Sequence, residues 1–163
     1  MTNKITQQKI TPFLWFNDNA EEAANFYTSI FADSKVITET RYGEGAPGPA
    51  GSVMTVKFQL AGQEFVALNG GPIFHLTEAV SFVVNCDSQD EIDRFWEQLS
   101  AGGETSRCGW LRDKFGLSWQ VVPTALAEMF EAGDAARCER VMHAMLQMDK
   151  LDLAALQSAS DGR

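Results

Sequence analysis

Near the start of the chain the apolar run Phe13-Leu-Trp-Phe16 gives way to Asn17-Asp-Asn19, and Asn19 stands directly before Ala20-Glu-Glu. A short amide followed by an acidic first turn is a helix-start pattern: the amide serves unpaired N–H groups and the carboxylates face the positive end of the helix dipole. Beyond it Ala23, Phe26, Tyr27 and Ile30 recur at helical spacing and give one apolar face. The pattern then changes to that of strands, over Lys35 to Tyr42, Ser52 to Leu60 and Glu64 to Leu68. Gly43 to Gly51, rich in glycine and proline, is by composition a mobile loop between the first two of them.

The same order returns. Sliding the sequence along itself by 69 residues aligns Phe13 with Phe82, Asp18 with Asp87, Glu22 with Glu91, Phe26 with Phe95 and Tyr27 with Trp96. In this second copy Ser81-Phe-Val-Val84 leads to Ser88, a helix-capping residue before Gln89-Asp-Glu91. Ile92, Phe95, Trp96 and Leu99 form the apolar face, Gly102-Gly103 supplies the stop, and shorter strands follow over Glu104 to Arg107, Gly109 to Lys114 and Leu117 to Val122. The chain therefore reads as α+β, a βαβββ module repeated in tandem within one domain over 1–163. Module one spans about 8–72 and module two about 78–123. A helical tail over about 124–158 follows, with apolar residues at helical spacing: Leu126, Met129 and Phe130, then Val141, Met142, Met145, Leu146 and Met148, then Leu151, Leu153 and Leu156. Gly133-Asp134 separates its first two helices, and Asp152 caps the last.

Composition narrows the possible roles. The 163 residues carry 22 acidic and 13 basic side chains, a formal net charge of -9, the wrong sign for a phosphate backbone or an anionic lipid surface. No run approaches the roughly 20 apolar residues that span a bilayer, and the polar opening has no signal-peptide core, so a cytoplasmic protein is expected. Three widely spaced cysteines, Cys86, Cys108 and Cys138, indicate neither a disulfide framework nor a thiolate zinc site.

Four longer words stand out: Ala67-Leu-Asn-Gly-Gly-Pro-Ile-Phe74, Cys108-Gly-Trp-Leu-Arg-Asp-Lys-Phe-Gly116, Ser118-Trp-Gln-Val-Val-Pro123 and Arg140-Val-Met-His-Ala-Met-Leu146. With the tandem βαβββ pattern, they resemble the PhnB-like branch of the vicinal-oxygen-chelate superfamily, which also holds glyoxalase I, extradiol dioxygenases and bleomycin-resistance proteins. That branch is often labelled 3-demethylubiquinone-9 3-methyltransferase. The resemblance implies a curved mixed sheet of the glyoxalase/bleomycin-resistance type, a ligand pocket on its concave side, and a homodimer.

Metal-dependent members of that superfamily present His, Glu or similar ligands from the first and last strands of each module. The repeat puts those positions at Pro12 and Val66 in module one and at Ser81 and Gln120 in module two. Pro and Val side chains offer no ligand atom and Ser and Gln are neutral, so no metal site and no cofactor are predicted. The two histidines, His75 and His143, fall in a loop after a strand and on a tail helix. A Rossmann-like methyl-donor site needs a glycine-rich turn between a strand and a helix, and none is present.

What remains is a pocket lined by aromatic and uncharged polar groups. Trp15, Asn69, Ser81, Trp110 and Gln120 are the candidate ligand-binding residues: the tryptophans for apolar contact, the amides and the hydroxyl as anchors that need a partner if buried. Asn69 reads equally well as a turn residue, since Asn-Gly favours turns. Cys108, close to Arg112 and Lys114, and Asp113 are the candidate catalytic residues, as a thiol near cations and as a general base; packing is the competing role for Cys108. Two functions follow. One is a metal-free module that binds a small, partly apolar molecule; the other is an enzyme, a lyase, dioxygenase or the labelled methyltransferase, acting on a small oxygenated substrate. A third role, in interaction through the tail, would leave the pocket empty.

Overall fold

The computed structural model describes residues 8–131 and 134–163, so Gly133 as a helix separator lies outside the described residues. The chain divides into two compact units between Leu76 and Thr77.

The first unit runs β1 (Phe13–Phe16), α1 (Ala20–Ile30), β2 (Lys35–Arg41), β3 (Val53–Leu60) and β4 (Gln63–Asn69). Its four strands lie in the order β1-β4-β3-β2, with β1 parallel to β4 and the other pairs antiparallel. Helix α1 buries Ala20, Ala23, Ala24 and Tyr27. Three alanines in that stripe let the helix backbone approach the sheet closely. Tyr27, fully buried on the same stripe, stacks on Phe58, which stacks in turn on Phe65 at 5.5 Å between ring centres. Strand β2 is exposed at every position, an edge strand broken by register shifts at Val36/Thr38 and Thr40/Arg41, which hinder pairing with a further chain.

Two local expectations change. Asn19 stands before α1 but makes no capping bond through its side chain. The N–H of Ala20 donates instead to Oδ1 of Asn69 at 2.8 Å, because the β1/β4 register sets Asn69 beside Phe16, where the chain turns into the helix. The Gly43 to Gly51 loop is tied at its base: Tyr42 N–H donates to Ser52 O at 2.9 Å and Gly51 N–H to Tyr42 O at 2.8 Å. Gly48 lies flat on the Tyr42 ring, where a Cβ would come within 2.4 Å of ring carbons.

The second unit repeats the topology. β5 (Ser81–Cys86), α2 (Gln89–Ser100), β6 (Glu104–Thr105), β7 (Trp110–Arg112) and β8 (Ser118–Pro123) form a second mixed sheet in the order β5-β8-β7-β6. Ser88 caps α2 by accepting from Glu91 N–H at 3.2 Å, and the Glu91 carboxylate accepts from Asp87 N–H at 2.8 Å. Helix α2 buries Ile92, Phe95 and Leu99 and packs on β7 and β8. Its strands are shorter than the sequence pattern suggests, because tight turns consume residues 106–109 and 113–117.

The tail folds as α3 (Ala125–Glu131), α4 (Ala135–Met145) and α5 (Leu153–Asp161). Met129, Val141, Leu151 and Leu156 form its small core. Asp134 and Asp152 cap α4 and α5, accepting from Arg137 N–H at 2.7 Å and Ala155 N–H at 2.9 Å. Not all of its apolar stripe is buried: Met142 and Leu146 stay 41% and 48% exposed. No helix among the described residues is long and apolar enough to cross a membrane.

Candidate functional site

Strand alternation sorts the second sheet into two faces. Val84, Cys86, Leu111, Trp119 and Val121 lie on the buried one. The opposite face is set by register: Ser81 pairs with Ser118, Arg112 with Ser118, and Trp110 with Gln120. Three of the five ligand-binding candidates, Ser81, Trp110 and Gln120, therefore share one face of one sheet. Gln120 Nε2 donates to Ser81 Oγ at 3.0 Å, so the two positions that the repeat equates with superfamily ligand positions meet side chain to side chain.

Beside them lies a recess of about 350 Å³ whose lining includes Glu78, Ser106, Arg107, Trp110, Arg112 and Ser118. Ser118 is a residue that sequence reasoning missed. It is 1% exposed, and its hydroxyl has no hydrogen-bond partner among the described residues. Only its position two residues before Gln120 in a strand signalled it. Arg112 is held by Glu104 at 2.7 Å, whereas Arg107 and Glu78 form no ion pair among the described residues.

Cys108 also lines this recess, but it precedes β7 and is not part of a strand. Arg107 to Trp110 is a tight turn, closed by Trp110 N–H to Arg107 O at 3.1 Å, with Cys108 and Gly109 at φ of 60° and 81°. Positive φ at both central residues breaks the extended run and turns β6 back into β7. The tail holds the turn: Cys108 N–H donates to Met148 O at 2.8 Å and Gly109 N–H to Asp149 O at 2.7 Å. The thiol itself points to Met145 O at 3.5 Å.

Asp113 is 3% exposed. Its Oδ1 accepts from Phe115 N–H at 2.8 Å and Leu117 N–H at 3.1 Å, and its Oδ2 accepts from the Trp119 indole at 2.8 Å. The carboxylate thus organises the turn between β7 and β8 and anchors a core tryptophan.

The remaining two candidates belong to the first unit. Trp15 donates its indole N–H to Gly71 O at 2.9 Å and packs edge-on against Phe74. It covers Gly70 so closely that a Cβ there would meet ring atoms at 2.3 Å. Asn69 has both ends of its amide occupied: besides accepting from Ala20 it donates to Glu21 Oε2 at 2.8 Å and Val53 O at 3.1 Å. Tyr42, a second residue the sequence did not single out, donates its hydroxyl to the Asn69 carbonyl. Asp18, Glu21, Tyr42 and Asn69 border a separate recess of about 350 Å³.

At the positions that the repeat equates with superfamily metal-ligand positions, Val66 N–H donates to Pro12 O at 3.0 Å. Ser81 and Gln120 supply a hydroxyl and a carboxamide already bonded to each other. With no carboxylate, thiolate or imidazole in it, this donor set does not fit a tightly held divalent cation. Among the described residues no three His, Cys, Asp or Glu side chains gather into a metal-holding group.

Two mixed four-stranded sheets of like order, each with its helix, define a glyoxalase/bleomycin-resistance-like protein with added C-terminal helices. Comparison with known proteins places it further. The family model described as 3-demethylubiquinone-9 3-methyltransferase matches residues 8–122, and the chain belongs to that family, the PhnB-like branch of the vicinal-oxygen-chelate superfamily. A PhnB protein from Bacillus cereus carrying the same methyltransferase description is 40% identical, over 72% of this chain and all of that one, with a TM-score of 0.66. Protein PA1353 from Pseudomonas aeruginosa is 23% identical over 72% of this chain and 98% of its own, with a TM-score of 0.59. The fosfomycin resistance protein FosX from Listeria monocytogenes is 18% identical over 75% of this chain and 97% of its own, with a TM-score of 0.51. These last two show the shared fold. No curated protein matches the chain.

Proposed function

We propose that the protein binds a small, partly apolar molecule on the face of its second sheet that carries Ser81, Trp110 and Gln120, without a catalytic metal. The observation that carries this reading is the Ser81–Gln120 hydrogen bond. It places two uncharged polar groups side by side, with the half-buried ring of Trp110 in register beside Gln120. A carboxamide and a hydroxyl next to an aromatic surface orient a carbonyl or hydroxyl of a ligand while the ring covers its apolar part. The labelled methyl transfer has less support. The strand-to-helix junctions read Asn17-Asp18-Asn19 and Asp87-Ser88, with no glycine-rich turn to cradle a nucleotide-like donor.

The test is a fragment screen by protein-observed nitrogen-15 NMR. Hits are expected to shift the amides of Ser81 and Gln120 and the Trp110 indole together, and the Gln120→Leu variant should weaken them. Hits that leave all three unmoved would overturn the reading. Elemental analysis of purified protein after incubation with Mg, Mn, Fe, Ni and Zn salts should find far less than one ion per chain. The protein also acts as a homodimer in this proposal, supported by large apolar side chains left exposed, such as Phe74 at 62% and Val83 at 49%. Light scattering that returns the mass of one chain would remove that part.

A further inference from the structure

The recess next to the Ser81–Gln120 pair has a chemistry of its own, and it favours an acceptor. Its charged pair Arg112–Glu104 is internally neutralised at 2.7 Å. Arg107, on the same lining, forms no ion pair among the described residues. Among the described residues Ser118 supplies a buried hydroxyl without a partner and the Trp110 indole N–H is uncommitted; Thr105 and Ser106 belong to the same lining. A buried hydroxyl left unpaired costs folding free energy, so its presence beside a recess marks a place where a ligand supplies the missing partner.

Arg107 is also held in place at its backbone. It opens the tight turn whose next two N–H groups are bonded to the Met148 and Asp149 carbonyls, and whose Gly109 carbonyl accepts from Val121 N–H at 2.8 Å. Gly109 is packed so tightly that a Cβ would come within 2.6 Å of Val121 O. The tail segment is fixed in turn by Lys150–Asp93 at 2.7 Å and by Gln89, which donates to Leu151 O and accepts from Leu153 N–H. The backbone that carries Arg107 is thus set before any ligand arrives, which lowers the entropy lost on binding.

We infer that this recess takes a small organic carboxylate, its head group received by Arg107 and Ser118 and its apolar body laid on Trp110. The inference rests on the proposed ligand-binding role of this sheet face and adds the charge class of the ligand. A guanidinium matches a carboxylate with two parallel N–H donors, and a hydroxyl adds a third. Two carboxylates share this lining: Glu104, neutralised by Arg112, and Glu78, which forms no ion pair among the described residues and whose charge works against the ligand.

The experiment compares benzoate with its neutral isostere benzamide, each titrated into the full chain and followed by the Trp110 indole resonance and the amides of 106–110. Benzoate is expected to bind tighter than benzamide and to shift those signals. Arg107→Gln should weaken benzoate about tenfold and leave benzamide unchanged, with Arg107→Lys in between because it keeps the charge but loses the fork. Ser118→Ala should weaken benzoate about fivefold, the size of one hydrogen bond, while leaving the folded spectrum intact. Glu78→Gln should tighten benzoate, and a weakening there would overturn the simple carboxylate in favour of a zwitterion. Equal binding of benzoate and benzamide, both insensitive to Arg107→Gln, would refute the carboxylate assignment and leave the sheet-face reading standing. Failure of both to move the Trp110 region would count against both.

Discussion

Asp113→Asn gives the sharpest test of how the second unit is held together. The substitution keeps the shape of the side chain and changes one oxygen to an amide nitrogen. The retained oxygen can still accept from Phe115 and Leu117 N–H, but the new NH2 then faces the Trp119 indole N–H, donor against donor, in a site 3% exposed. The loss is one charge-assisted bond of about 1.5–3 kcal/mol plus an indole N–H stranded at about 1–3 kcal/mol; no longer burying a charge returns part of this, leaving a net cost of about 3 kcal/mol. With a urea m-value of about 2 kcal/mol per molar, the unfolding midpoint falls by about 1.5 M. Tryptophan fluorescence follows the transition well, since Trp96, Trp110 and Trp119 all lie in this unit. An unchanged midpoint would refute the reasoning. Unchanged stability combined with lost ligand binding would assign Asp113 to the ligand rather than to its turn.

Three further outcomes follow from the geometry. Burial pushes the Cys86 thiol up to about 11, with Glu91 and Asp87 adding to the shift and Arg94 opposing it; at pH 8 maleimide mass spectrometry should label Cys108 and Cys138 well before Cys86. A thiol pKa raised on folding favours the folded state only while the unfolded thiol stays protonated, so this contribution is complete below about pH 9 and is lost between there and about pH 11. Asn69→Ala removes the acceptor for Ala20 N–H and two donated bonds, and should cost about 2 kcal/mol in thermal unfolding; a melting temperature like that of the parent would mean these bonds contribute nothing net. Gly103→Ala would set a Cβ 2.2 Å from Arg112 O, a rigid backbone atom, and should destabilise by about 2 kcal/mol where Gly43→Ala, with nothing within 4 Å, stays near neutral.

Local pattern determined the elements. Apolar spacing is set by neighbours a few positions apart, so the helix faces at Ala23–Tyr27 and Ile92–Leu99, the strands, the cap at Asp152 and the repeat of a βαβββ order could be read directly, as could the alternation that sets Trp119 and Gln120 on opposite faces. The repeat even singled out Ser81 and Gln120, 39 positions apart in the first and last strands of module two, and the fold joins them by a hydrogen bond. Partner choice at longer range was decided only by tertiary structure. Asn69 rather than Asn19 serves the start of α1 because strand register carries it across 49 positions to Ala20. Asp113 is buried because the turn to Leu117 wraps its carboxylate and Trp119 closes over it. Cys108 sits in a tight turn held from the tail, where the Met148 and Asp149 carbonyls accept from Cys108 and Gly109 N–H. Ser118 had no signal of its own: whether a strand hydroxyl is paired depends on every group that packs around it, and that is a property of the assembled sheet.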